Sequence, residues 1–199
     1  YLMNTLKDLT FDNIYHEHYN YWSLTSLINF FNQFNAKIYR VERIDTHGGS
    51  IRIYVKKGKN IKIEKNVKDL IKEEENFGIK NFKTYQKFSE NVYKIRENVI
   101  KNINKLKKEK KIIVGFGSPA KATTALNFFG ISDQIDCIFE DNKLKVGKYV
   151  PGTKIPIKKK KPLDDNHCIL VLAWNFYEAI KKRNKNLSNH FINIKELEK

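Results

Sequence analysis

The chain has 199 residues, 41% of them hydrophobic and 13% aromatic, which is enough to bury one large core or two small ones and too apolar for a disordered segment. Its 38 basic and 22 acidic residues leave a formal charge of +16, a balance that favours anionic ligands. No apolar run approaches the roughly 20 residues of a membrane span, no basic-then-apolar leader opens the chain, and Cys137 and Cys168 alone make neither a disulfide framework nor a zinc pattern. The expectation is a cytoplasmic protein that leaves membranes alone.

In chain order, Leu2, Leu6 and Leu9 mark a short helix, and Leu24, Leu27, Ile28, Phe31 and Phe34 predict an amphipathic helix over 23–35. Residues 37–44 and 50–56 alternate through Ile38, Val41, Ile44, Ile51, Ile53 and Val55. With Gly48 and Gly49 between them, they predict an antiparallel hairpin. Residues 59–108 contain no proline, are heavily charged and carry apolar residues at helical intervals, so at least two helices are expected there, the second long. Residues 109–199 alternate strand and helix: strands over 111–114, 135–140, 168–173 and 191–194, and helices over 118–129 and 177–183. Ser118 and Pro119 stand where a cap and a first helical residue belong. This rhythm argues a parallel sheet with helices on its faces. The fold class is therefore α/β, divided as 1–58, a helical linker over 59–108, and a Rossmann-like domain over 109–199.

The positive charge is mostly lysine; the arginines are Arg40, Arg43, Arg52, Arg96 and Arg183. A nucleic-acid binder more often uses arginine, whose planar fork matches phosphates and stacks on bases. The lysines are also dispersed, apart from 105–111 and 158–161. No specific nucleic-acid partner is expected, although the 158–161 run keeps that reading open as an alternative.

Three stretches carry chemistry. Phe11-Asp12-Asn13-Ile14-Tyr15-His16-Glu17-His18-Tyr19 packs histidines, acids and tyrosines just ahead of an apolar helix, a setting for a general base. A polar helix entrance is the plainer reading, and His16, His18 and His47 also permit a metal set. Thr46-His47-Gly48-Gly49-Ser50-Ile51-Arg52 lets backbone approach a ligand, or is an ordinary hairpin turn. Val114-Gly115-Phe116-Gly117-Ser118-Pro119-Ala120-Lys121 places a glycine turn between strand and helix, with free N–H groups for an anion. It is not a P-loop. Ala120 in the third fingerprint slot, and Glu140-Asp141 at the end of the next strand, leave a dinucleotide-binding module as a second alternative.

Taken together and in this order, these stretches resemble the sugar C-methyltransferases, which use S-adenosylmethionine to methylate a ring carbon of a nucleotide-linked keto-deoxysugar. The resemblance extends through Leu126-Asn127-Phe128-Phe129-Gly130-Ile131, Pro151-Gly152-Thr153 with Ile155-Pro156-Ile157, and Leu172-Ala173-Trp174-Asn175-Phe176. It implies a reaction begun by removing a proton beside the ketone, with the enolate then attacking the sulfonium methyl. By resemblance, His18 is the base, with Glu17 and Tyr15 as its catalytic partners. His16, His47, Gly48, Gly49, Ser118, Lys121 and Asn175 are the expected substrate contacts, Ser118 and Lys121 facing phosphate. The family also has a cysteine-held zinc domain and a Gly-x-Gly-x-Gly cofactor loop. Here the first glycine is Gly48, there is no cysteine cluster, and the first residue is Tyr1. The expectation is a fragment: 1–58 as the tail of a methyltransferase domain, the C-terminal domain following, with no S-adenosylmethionine loop or metal site within it and no activity on its own.

Overall fold

The computed structural model describes residues 1–46 and 48–199, the side chain of Ser188 excepted. The chain gathers into two compact units. One comprises Tyr1–Phe11 and His16–Val92, the other Asp12–Tyr15 and Tyr93–Lys199.

The first unit opens with helix α1, Leu2–Lys7. Helix α2, Leu24–Asn32, starts at Ser23, whose hydroxyl accepts from the Ser26 N–H while Ser26 Oγ accepts from the Ser23 N–H. Strand β1, Ala36–Ile44, pairs antiparallel with β2, Ser50–Lys57, as the alternation predicts; Val41 faces Ile53, and a bulge interrupts the register between Ile38 and Arg40. Helix α3, Lys65–Phe77, stops at Gly78, and α4, Phe82–Lys108, runs for 27 residues. Both helices fall in the stretch read as helical from its periodicity. Met3, Leu6, Leu24, Ile38, Val41, Val67, Leu70 and Ile79 form the core.

Within that core lies a fully buried carboxylate, Glu74 of α3. Its oxygens accept from the Leu24 N–H at 2.6 Å, the Thr25 N–H at 2.8 Å, the Thr25 hydroxyl at 2.6 Å and the Tyr1 hydroxyl at 2.6 Å. A helix N-terminus leaves N–H groups without intrahelical acceptors and carries partial positive charge. Glu74 supplies both acceptor and charge to α2 from 50 residues away. Burial and the bond to Glu74 push the Tyr1 phenol up.

The hairpin turn depends on glycine for conformation and for space. Gly49 has φ +104°, and a Cβ there would lie 2.1 Å from Asn4 Nδ2 of α1. Gly49→Ala is expected to destabilise the first unit by about 1–3 kcal/mol, read as a lower urea midpoint. An unchanged midpoint would show that α1 yields freely.

The second unit is a five-stranded, all-parallel sheet of β3 Ile112–Phe116, β4 Ile138–Phe139, β5 Ile157–Lys158, β6 His167–Val171 and β7 Phe191–Asn193, in the order β5-β4-β3-β6-β7. Its helices are the later part of α4, α5 Ala120–Phe129 and α6 Tyr177–Arg183. Val114, Phe116, Cys137, Phe139, Ile169, Val171, Leu187 and Phe191 pack together. Both cysteines are free and buried, and burial pushes their thiols up. Gly115 is required by close packing in mid-sheet, since a Cβ would sit 2.9 Å from Ile138 Cγ1 and 3.0 Å from Leu172 Cδ1.

Strand β5 is absent from the sequence reading because two residues beside Pro156 and a lysine run leave no alternation to see. It is one of the two edge strands, and Lys158, Lys159, Lys160 and Lys161 that end and follow it are exposed. Lysines on an exposed edge discourage pairing with another chain, and Lys160 is also held by Asp141 and Asn184 at 2.8 Å each. Strand β4, Ile138–Phe139, is shorter than the expected 135–140, mostly at its start.

Candidate functional site

The glycine turn after β3 is closed by the chain itself. Glu140, directly beyond β4, accepts from the Ser118 N–H at 2.9 Å and the Ser118 hydroxyl at 2.7 Å with one oxygen. Its other oxygen accepts from the N–H groups of Asp141 at 2.9 Å and Asn142 at 3.0 Å, and Lys145 Nζ donates to the Ser118 carbonyl at 2.7 Å. Ser118 therefore does not cap α5; Pro119 occupies the N-cap position and no side chain caps the helix. The acid expected to meet a ribose hydroxyl instead sits where a phosphate would lie in a dinucleotide fold, so a phosphate bound at Ser118 must first displace Glu140.

Burial alone would raise the Glu140 pKa, but the Asn142 N–H, the Ser118 hydroxyl and N–H, and Lys145 together hold it below the usual carboxylate range. With the folded-state pKa depressed, its contribution is full above the unfolded-chain value of about 4.3 and is lost as pH falls through the folded-state value. Glu140→Gln is expected to lower stability by about 1–2 kcal/mol at neutral pH. The gap from the unsubstituted chain should shrink on acidification, in denaturant titrations at several pH values. A pH-independent gap would mean packing, not charge, is lost.

The carboxyl ends of β3 and β6 form a second locus. The chain leaves β3 toward β4 and leaves β6 toward β7, on opposite sides. This is the switch point at which open α/β sheets take their ligands. Lys121, in the first turn of α5, is 7% exposed. Its ammonium lies 4.6 Å from the centre of the Trp174 ring, just beyond β6, and has no hydrogen-bond acceptor among the described residues. Burial lowers its pKa, Asp12 counteracts this, and Lys195 adds to it. Lys195 also lies over Trp174, at 5.0 Å, and pairs with Glu198 at 2.9 Å. The Trp174 indole N–H donates to Asp12 Oδ2 at 2.5 Å, and the Thr124 hydroxyl to the Ile14 carbonyl at 3.5 Å. The Asp12–Tyr15 strap is thereby seated on the second unit. Trp174 holds the strap and two lysines, so it serves as a wall and anchor. Lys121 is an interior cation, contrary to the surface position that its place on a helix would allow.

Of the other expected site residues, Tyr15 is half-buried within the strap and Asn175 is exposed in the turn after β6. His16, Glu17 and His18 belong to the first unit, in an irregular turn ahead of α2. His16 Nε2 is 3.8 Å from Glu17 Oε1 with both side chains exposed, while His18 is half-buried with its ring edge-on to Tyr21 at 6.4 Å. Gly48 and Gly49 form the β1–β2 turn at positive φ. His47 lies outside the described residues. The structure thus groups Tyr15, Lys121 and Asn175 in one unit, and His16, Glu17, His18, Gly48 and Gly49 in the other.

A model of the C-methyltransferase C-terminal domain matches residues 45–193. The chain belongs to this family. It is also 30% identical, over 184 residues, to the C-methyltransferase NovU of Streptomyces niveus, covering 90% of this chain and 44% of that protein. The chain thus spans less than half the length of this curated relative. The family match takes in the hairpin turn, the glycine turn, Lys121 and Trp174, whereas Asp12 to His18 lie ahead of it and within the reach of the pairwise comparison at most.

Among the described residues, neither glycine turn is open as a cradle for S-adenosylmethionine. The glycine turn after β3 is filled by Glu140, and Gly49 of the hairpin turn packs against Asn4. Among the described residues no cluster of three or more His, Cys, Asp or Glu side chains fits a metal, and no helix is long and apolar enough to cross a membrane. Asp12 and Glu74 are structurally engaged acids to which the sequence reading gives no role of their own. For Glu74 a signal existed: it follows Val67, Leu70 and Ile71 at the position where helical spacing calls for an apolar residue.

Proposed function

We propose that this chain is the carboxyl-terminal part of a C-methyltransferase acting on a nucleotide-linked keto-deoxysugar in the cytoplasm. Family membership supports the reaction class, and the resemblance of the acid–base stretch to sugar C-methyltransferases supports the substrate class. The structural observation that carries the reading is the seating of the Asp12–Tyr15 strap on Trp174. It ties the start of the acid–base stretch to the carboxyl ends of β3 and β6, where α/β sheets receive ligands.

The chemistry falls to the chain's own residues as follows. His18 takes the proton from the carbon beside the ketone, a role suited to an imidazole at neutral pH. Tyr15 and Glu17 orient the base or steady the developing enolate oxygen by hydrogen bonding. S-adenosylmethionine, when bound, supplies an electrophilic methyl group; these residues offer it no cradle, and a zinc-bearing domain and the cofactor loop belong to other parts of such an enzyme. Gly48, Gly49, His16, His47, Ser118 and Asn175 remain proposed substrate contacts, Ser118 on the condition that Glu140 moves aside.

The test is exchange at the carbon acid. The protein in its full natural length, incubated in deuterium oxide with a nucleotide-linked keto-deoxysugar, is expected to catalyse deuterium uptake beside the ketone, followed by NMR. No uptake with any such sugar, under conditions where methyl transfer proceeds, would sink the proton-abstraction reading. The dinucleotide-module alternative predicts tight NAD binding instead; the carboxylate filling the glycine turn argues against it.

A further inference from the structure

Lys121 and Asp12 stand out in the second unit because each is buried and each has an unmatched polar atom. Lys121 is 7% and Asp12 3% exposed. Asp12 Oδ2 accepts the Trp174 indole N–H, but Asp12 Oδ1 and Lys121 Nζ have no hydrogen-bond partner among the described residues. The two side chains sense each other's charge, yet no ion pair within 4.0 Å joins them. A buried ammonium and a buried carboxylate, each with an atom left without a hydrogen-bond partner among the described residues, are both costly. What is missing is a group that accepts from the ammonium and donates to the carboxylate. A hydroxyl does both. A phosphate does only the first, and would bring its negative charge against Asp12.

We propose that the crevice at the carboxyl ends of β3 and β6 holds a ligand hydroxyl between Lys121 and Asp12, with Lys121 Nζ donating to the hydroxyl oxygen and Asp12 Oδ1 accepting its proton. Lys121 is on this account a sugar contact and not the phosphate contact that its position after a glycine turn implies. The identity of the ligand as a sugar nucleotide rests on the function proposed above; its hydroxyl can belong to the hexose or to the nucleoside sugar. Trp174 fixes the geometry by holding Asp12 through its indole N–H and Lys121 over its ring. Both unmatched atoms are shut off from solvent, so the ligand enters when the strap carrying Asp12 shifts, and its hydroxyl replaces a trapped water or an empty gap.

The test is calorimetric binding to the protein in its full natural length, with UDP-glucose and dTDP-glucose as probes and UDP and dTDP as controls. Lys121→Met keeps an unbranched chain one atom shorter and removes the charge. Asp12→Asn keeps an acceptor for Trp174. Both are expected to weaken sugar-nucleotide binding roughly 10–100-fold, while Lys121→Met raises the thermal midpoint because an unpaired buried charge is gone. Equal weakening of the nucleoside diphosphates assigns the hydroxyl to the nucleoside, and weakening of the glucose-bearing probes alone assigns it to the hexose. Unchanged affinity in both variants, whatever their midpoints, means a buried water only and overturns the subsite while the substrate reading stands. Failure of the unsubstituted protein to bind any probe overturns the substrate reading and the subsite together.

Discussion

Replacing His18 with alanine in the full-length protein is expected to cut methyl transfer by roughly 10²–10⁴-fold, the usual range for loss of a positioned general base. Binding of the nucleotide-linked sugar should stay nearly intact, because a base acts on the proton in flight and contributes little to the ground-state complex. The imidazole is half-buried and packs edge-on to Tyr21, so its removal leaves no large cavity and the fold should survive. Steady-state kinetics with calorimetry on the variant make the comparison. Near-normal turnover would remove His18 from the base role and move it to His16 or His47. A parallel loss of affinity and turnover would make His18 a binding residue.

The largest expected effect on stability is at Glu74. Glu74→Ala strips the acceptors from two backbone N–H groups at the start of α2, the Thr25 hydroxyl and the Tyr1 hydroxyl, at a fully buried position. Leaving several buried donors unsatisfied is expected to cost about 3–5 kcal/mol. Glu74→Gln, which keeps one acceptor oxygen, should fall between that variant and the natural chain. Native-state hydrogen exchange is the discriminating measurement: the amides of Leu24 and Thr25 should lose protection first. Because α2 follows directly on the acid–base turn, its fraying should also lower activity in Glu74→Ala. If Glu74→Ala melts like the unsubstituted chain, water replaces the carboxylate at no cost and the capping argument fails.

Local pattern was enough for most of the elements. The alternation on either side of Gly48-Gly49 determined an antiparallel hairpin, since the side-chain period of a strand is two and glycine permits the turn between. The helical spacing over 59–108 and the strand–helix rhythm after 109 determined α3, α4 and a parallel sheet, because each element must present one apolar face to a core. Short pieces escaped. Strand β5 has two residues, too few to show a period, and is legible only once β4 is placed beside it.

The polar interior was a different matter. The stretch from Phe11 to Tyr19 announced itself by its density of titratable groups, but nothing local said that Asp12 would meet Trp174, 162 residues away. Nor did anything say that a lysine in the first turn of α5 would be buried with no hydrogen-bond acceptor among the described residues. Ser118 looked like a helix cap because serine before proline at a helix start usually is one; Glu140, brought alongside by the β3–β4 pairing, offered its hydroxyl and N–H a charged acceptor instead. Hydrophobic periodicity is written along a single element and can be read from it. Which buried polar atoms find partners depends on residues distant in sequence, so the tertiary structure alone decided that the glycine turn is filled and that Lys121 Nζ and Asp12 Oδ1 have no hydrogen-bond partner among the described residues.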